Sequence, residues 1–136
     1  MRRVLVVEDH SFMRGLVGLH LRGAGYIAEM AEDAVTAARL ILHSAPDLMV
    51  VDVEMPHWDG IEFCATLRAD KTIRHFPIIV MTASEAHAQR ASGLGLHVLL
   101  KPFMKDQLLG AIASQLAPSA DPDAAPRFNL SSAAPP

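Results

Sequence analysis

The chain has 136 residues, 51% hydrophobic and 20% charged, the size and profile of one globular domain with one core. A formal net charge of −3 argues against a surface built for phosphate backbones or anionic lipid. The single cysteine, Cys64, excludes an internal disulfide and fits a reducing cytoplasmic compartment, and the four apolar residues Val4 to Val7 are too few for a signal-peptide core or a membrane span.

Arg3 to Val7 is a short β-branched run, read as a strand, and it ends on Glu8-Asp9-His10. Ser11 is the expected N-cap of a helix that places Phe12, Leu16 and Leu19 on one face and stops at Gly23 and Gly25. Ile27 to Ala31 is a weak second strand. Asp33 caps a helix with Ala34, Ala38 and Ile41 aligned, and Pro46 ends the connection. Leu48 to Val51 is an apolar run that leads straight into Asp52, and Pro56 and Asp59-Gly60 turn the chain after it. Such a run between breakers predicts a strand buried on both faces, with a carboxylate at its carboxyl end. Ile61 to Ala69 is a third helix. Pro77 opens the strand Ile78 to Met81, which ends on Thr82. Glu85 to Ser92 is a short, alanine-rich helix. Leu96 to Leu100 is a fifth strand, ending on Lys101-Pro102, and Met104 to Leu116 is a last helix with Leu108, Ile112 and Leu116 aligned.

Strand and helix alternate five times, and the strands are mostly continuous in apolar residues. This predicts an α/β fold with a parallel sheet, helices on both faces and right-handed crossovers. From Ala117 the composition shifts: five of the nine prolines lie there, with Ala, Ser and Asp around them. Residues 117–136 are therefore expected to be a flexible tail or linker after a domain spanning 1–116, with Arg127-Phe128-Asn129-Leu130 as its one sticky patch.

A parallel sheet would bring Glu8-Asp9, Asp52, Thr82 and Lys101 to one edge, because each lies at the carboxyl end of a strand. Three crowded carboxylates repel one another, and a hard cation neutralises them. Mg²⁺ fits, since it accepts a few carboxylates and keeps waters for a phosphate-bearing ligand. Lys101 and Thr82 then suit phosphoryl oxygens, one by charge and the other by a hydrogen bond.

Val4-Leu5-Val6-Val7-Glu8-Asp9, Asp52 through Gly60, Met81-Thr82-Ala83 and Lys101-Pro102-Phe103 together resemble the response-regulator receiver family, the CheY-like domains of two-component signalling. The resemblance covers Arg2 to about Leu116. It implies a flavodoxin-like (βα)5 sandwich with strand order 2-1-3-4-5. It also implies Asp52 as acceptor of a phosphoryl group from a phosphohistidine, and Mg²⁺ held by Asp9, Asp52, the backbone carbonyl of Glu54 and, through water, Glu8. Thr82 and Lys101 would hold phosphoryl oxygens, and Lys101-Pro102 would be the family's cis peptide. The implied partners are a sensor histidine kinase or histidine phosphotransfer protein and an unknown downstream protein. This domain alone would bind neither nucleic acid nor membrane. On this reading it is not an enzyme, catalysing only its own phosphorylation and dephosphorylation.

Two positions depart from the pattern. The family usually carries Tyr or Phe three residues before the lysine; here Val98 stands there, stiff and without a ring. The segment from Thr82 to Lys101 is about one helical turn short of the family norm, so the fourth helix is expected to be short or mobile and the output face atypical. Two other functions compete: a phosphorylation-independent interaction module, suggested by these departures, and a Mg²⁺-dependent phosphohydrolase using Asp52 as nucleophile. The seven histidines show no zinc-site spacing, and His10 and His57 are expected in solvated loops beside the acidic crevice.

Overall fold

The computed structural model describes residues 1–117. The elements are β1 (Arg3–Val7), α1 (Ser11–Gly23), β2 (Ile27–Ala31), α2 (Ala34–His43), β3 (Leu48–Asp52), α3 (Gly60–Ala69), β4 (Ile78–Thr82), α4 (Glu85–Gly93), β5 (His97–Leu100) and α5 (Lys105–Leu116). All strand pairings are parallel and the order is β2-β1-β3-β4-β5, the flavodoxin-like arrangement. The expected tail lies outside the described residues but for Ala117, as does its Arg127–Leu130 patch.

The central strands are buried along their length because helices cover both faces. Side chains alternate across the sheet. Val4, Val6, Leu48, Val50, Ile79 and Met81 pack against Val17 and Leu21 of α1 and Leu108 and Ile112 of α5. Leu5, Val7, Met49, Val51, Ile78 and Val80 pack against α2, α3 and α4 through Ala37, Ile41, Phe63, Cys64, Leu67 and Ala91. Each fully buried Val, Leu or Ile contributes roughly 1.5–3 kcal/mol, so these two layers, more than helix propensity, hold the helices to the sheet.

On α1 the expected face is corrected. Phe12 and Leu19 are exposed, and the buried stripe is Val17, Gly18 and Leu21 with Met13 half-buried beside it. The helix carries apolar residues on two sides, and only contact with the sheet selects between them. Its N-cap is also corrected from Ser11 to His10, whose Nδ1 accepts from the Met13 amide at 3.4 Å. In α2, Ala37 joins Ala34 and Ile41 in the core, while Ala38 is only half-buried.

α4 has nine residues, one fewer than α2 and α3, and is capped at both ends. Ser84 Oγ accepts from the His87 amide, and Gly95, at φ +77°, lets Leu96 N–H donate to the Ala91 carbonyl.

Asp59 caps α3, accepting from the amides of Ile61 at 2.7 Å and Glu62 at 3.2 Å. Burial raises the Asp59 carboxyl, but the Arg90 guanidinium and the two amides outweigh it and hold the group below its ordinary value. Asp59→Ala is expected to lower stability by about 1 kcal/mol in urea unfolding. The folded-state pKa is depressed, so the Asp59 contribution is full above the ordinary aspartate value. It disappears as pH falls through the lower folded value, and the wild-type and variant stability curves converge in acid.

Candidate functional site

Val7 pairs with Val51, Asp52 with Met81, and Thr82 with Leu100. This register brings Glu8, Asp52, Thr82 and Lys101 to one edge, since each is the last residue of its strand or the next one along. Glu8 continues the ladder by donating its amide to the Ala31 carbonyl at 3.0 Å, and Lys101 does the same to the Thr82 carbonyl at 2.8 Å. The Lys101–Pro102 bond is cis. Arg14, one turn into α1, holds the acidic loop by donating to the backbone carbonyls of Glu8 at 2.9 Å and Asp9 at 3.3 Å.

The side chains converge as the sequence anticipates. Lys101 Nζ lies 3.1 Å from Asp52 Oδ1 and 3.5 Å from Glu8 Oε1. Carboxylate oxygens of Glu8, Asp9 and Asp52 fall within 4.8 Å of one another. Glu8 and Asp52 are 1% and 4% exposed, so solvent screens this crowding poorly. Burial, with the nearby Asp52 charge, pushes the Glu8 carboxyl up to about 7. Burial also raises Asp52, against the opposing pull of Lys101. On Lys101 itself burial disfavours the ammonium, but Asp52 and Glu8 more than offset this and raise its pKa.

Glu8 Oε2 accepts from the His10 amide at 3.2 Å, whereas Oε1 is buried with no hydrogen-bond partner. One lysine facing three carboxylates leaves negative charge in excess, and a buried carboxylate oxygen met only by a long ion pair, with no hydrogen bond, points to the same deficit. The donor set, all hard oxygens, fits Mg²⁺. The cleft around it, about 370 Å³, is lined by these groups together with His10, Phe12 and Glu54. Glu8→Gln removes one of the crowded charges while keeping the shape. In chelator at mildly alkaline pH it is expected to stabilise the protein by about 2 kcal/mol in urea unfolding, and to reduce the stabilisation that added Mg²⁺ confers.

A profile of the response regulator receiver domain matches residues 4–113, which takes in every strand end described above. The chain belongs to the response regulator receiver family. The receiver is 38% identical over 127 residues to the response regulator MprA of Mycobacterium sp. strain KMS, covering 89% of this chain and 54% of that protein. With MprA of Mycobacterium leprae it shares 36% over 132 residues, 95% of this chain and 57% of the relative. The chain thus spans little more than half the length of these curated relatives. Among solved structures, the chemotaxis protein CheY4 of Vibrio cholerae superposes with a TM-score of 0.77 at 31% identity, covering 85% of this chain and 99% of that one. The response regulator TrrA of Thermotoga maritima, in complex with Mg²⁺ and BeF, gives a TM-score of 0.77 at 29% identity, covering 85% and 100%.

Thr82 and Glu54 differ from the simple expectation. The buried Thr82 hydroxyl donates to Glu54 Oε2 at 2.8 Å, and the same oxygen accepts from His87 Nδ1 of α4 at 2.7 Å. Glu54 therefore enters the receiver site by its side chain as well as through its position after Asp52. His87 and Arg14 escaped the sequence reading, whereas His10 lines the cleft as expected and was missed only as a helix cap. Arg14 follows His10 by one helical turn, a signal that could have been used. Nothing local marks His87, whose partner is 33 residues away. Val98 packs against the α3 and α4 side of the core, while its neighbour His97 meets Gln115 Nε2 at 3.3 Å on the other side. Burial pushes the Cys64 thiol up to about 12, so it is packing, not a nucleophile. No helix among the described residues is long and apolar enough to cross a membrane.

Proposed function

We propose that Asp52 accepts a phosphoryl group from a phosphohistidine on a sensor histidine kinase or histidine phosphotransfer protein, and that the resulting aspartyl phosphate switches binding of a downstream protein. The observation that carries this is Asp52, at the end of β3, with Lys101 Nζ 3.1 Å from its Oδ1 inside a cluster of carboxylates. An Asp52 oxygen forms the new bond to phosphorus while the bond to the histidine nitrogen breaks, and the electron pair leaves with the imidazole. Lys101 would meet charge on the phosphoryl oxygens, and Thr82 would donate a hydrogen bond to one of them. Catalysis is positioning and charge neutralisation. Glu8, Asp9, Asp52 and the Glu54 carbonyl would hold Mg²⁺, which when bound supplies positive charge against these oxygens. A cytoplasmic site of action accords with the unpaired Cys64. Val98 offers no ring to turn inward, so we further propose that output runs through the α4 region by another route.

Trp58 lies six residues after Asp52 and packs edge-on against Phe63, with ring centroids 5.2 Å apart, which makes it a reporter of this loop. Titration with beryllofluoride, followed by Trp58 fluorescence, is expected to saturate only when Mg²⁺ is present. Lys101→Met should weaken it by roughly tenfold or more. A flat titration in the wild type would favour the interaction-module reading.

A further inference from the structure

Glu54 Oε2 is shared by two donors, and they belong to different parts of the machine. Thr82 stands at the end of β4, in the site; His87 stands in the first turn of α4. The ionised carboxylate only accepts, so His87 Nδ1 carries the proton of that bond. The Thr82 hydroxyl already accepts from the Ser84 amide at 3.0 Å, and its one proton goes to Glu54. A hydroxyl has a single proton to give. If Thr82 is to donate to a phosphoryl oxygen, it must withdraw that proton from Glu54. Glu54 also borders the cleft, and its charge disfavours further negative charge on Asp52.

From this we infer that His87 is a positioning residue of the phosphoryl site. It holds Glu54 against Thr82 in the unphosphorylated protein, and filling the site releases Glu54 and with it the first turn of α4. The inference rests on Asp52 as phosphoryl acceptor, and it supplies the route to α4 that Val98 does not. A bond made in only one of two states stabilises that state, and the coupling is reciprocal. The His87–Glu54 pair therefore opposes loading, and loading opposes the pair. α4 keeps a second tie when the first opens, because Arg90 Nη2 reaches Asp59 Oδ1 at 3.0 Å, and Asp59 is the cap of α3.

The test is beryllofluoride affinity, with Mg²⁺ present, together with hydrogen exchange of α4, on the full chain. Both partners are partly exposed, so the pair is of modest strength, and His87→Ala should bind beryllofluoride about two- to fivefold more tightly. His87→Asn, which can return a donor near the Nδ1 position, should restore the wild-type affinity. In the wild type, the first turn of α4 should lose protection on loading; in His87→Ala it should be equally unprotected with and without beryllofluoride. Arg90→Ala loosens the same helix without touching Glu54 and should leave the affinity unchanged. Wild-type affinity in His87→Ala would overturn the inference, as would an equal gain in Arg90→Ala, which would mean general loosening. No binding by the wild type would overturn the acceptor role of Asp52 and the inference with it, whereas normal wild-type binding with an inert His87 would leave that role standing.

Discussion

Asp52→Asn is expected to abolish the covalent phosphoryl adduct that the wild-type chain forms with acetyl phosphate and Mg²⁺, a loss of at least about 10²-fold in adduct measured by intact mass. The reason is chemical and local. A carboxylate oxygen has a free lone pair to offer to phosphorus; the amide of Asn is neutral and a far weaker nucleophile. Folding should survive. Asp52 is 4% exposed and its burial already disfavours the charge, so an isosteric neutral group relieves repulsion with Glu8 at the cost of its ion pair with Lys101. The variant should therefore unfold at a urea concentration near that of the wild type in chelator. An adduct of unchanged yield in Asp52→Asn would remove this residue from the acceptor role. A wild-type adduct that forms equally well in chelator would remove the need for the cation.

Gly60→Ala is expected to be the most damaging conservative change in the domain. A Cβ at this position would lie 2.3 Å from the Asp52 carbonyl oxygen and 2.9 Å from Val53 Cα. These are backbone atoms of β3 and its exit, held in turn by the Gly60 amide donating to the Val53 carbonyl at 2.8 Å. Neither side has a flexible end to move, so α3 must shift away from the strand. The expected cost is about 3 kcal/mol or more, which for a domain of this size lowers the melting temperature by roughly 10 °C. The strand end that the added methyl presses on is the one carrying Asp52. Adduct formation in whatever fraction remains folded should fall as well, which separates this variant from a simple loss of core packing elsewhere. A melting temperature within a few degrees of wild type would show that the helix and strand have slack the geometry does not suggest.

Much of this protein was legible in the chain itself. Five apolar runs separated by helical stretches dictate a parallel sheet, because strands buried on both faces need helices on both. The alternation of Val4 and Val6 with Leu5 and Val7 divides the core into the two layers observed. The acidic and basic residues of the site were visible because each closes a strand, and a parallel sheet collects strand ends at one edge. Capping of α2 by Asp33 and of α3 by Asp59 involves partners two or three residues away, which is within the reach of local pattern.

Other features depended on contacts between distant segments. Phe12, Leu16 and Leu19 form a regular stripe, yet α1 turns Val17 and Leu21 inward, since a helix with two apolar sides is oriented only by what it lands on. The bond from His87 to Glu54 joins α4 to the loop after β3, and its existence depends on where two loops come to rest. What the amino-acid order determined by itself was the parallel α/β class and the edge at which charge accumulates, which follow from periodicity and from residues at strand ends, together with the likeness to the receiver family, which its motifs carry. The tertiary structure decided which face of α1 is buried and how strongly Glu8 resists ionisation. It also decided which partner holds the Thr82 proton, because burial, dielectric environment and long-range hydrogen bonds exist only once the layers have closed.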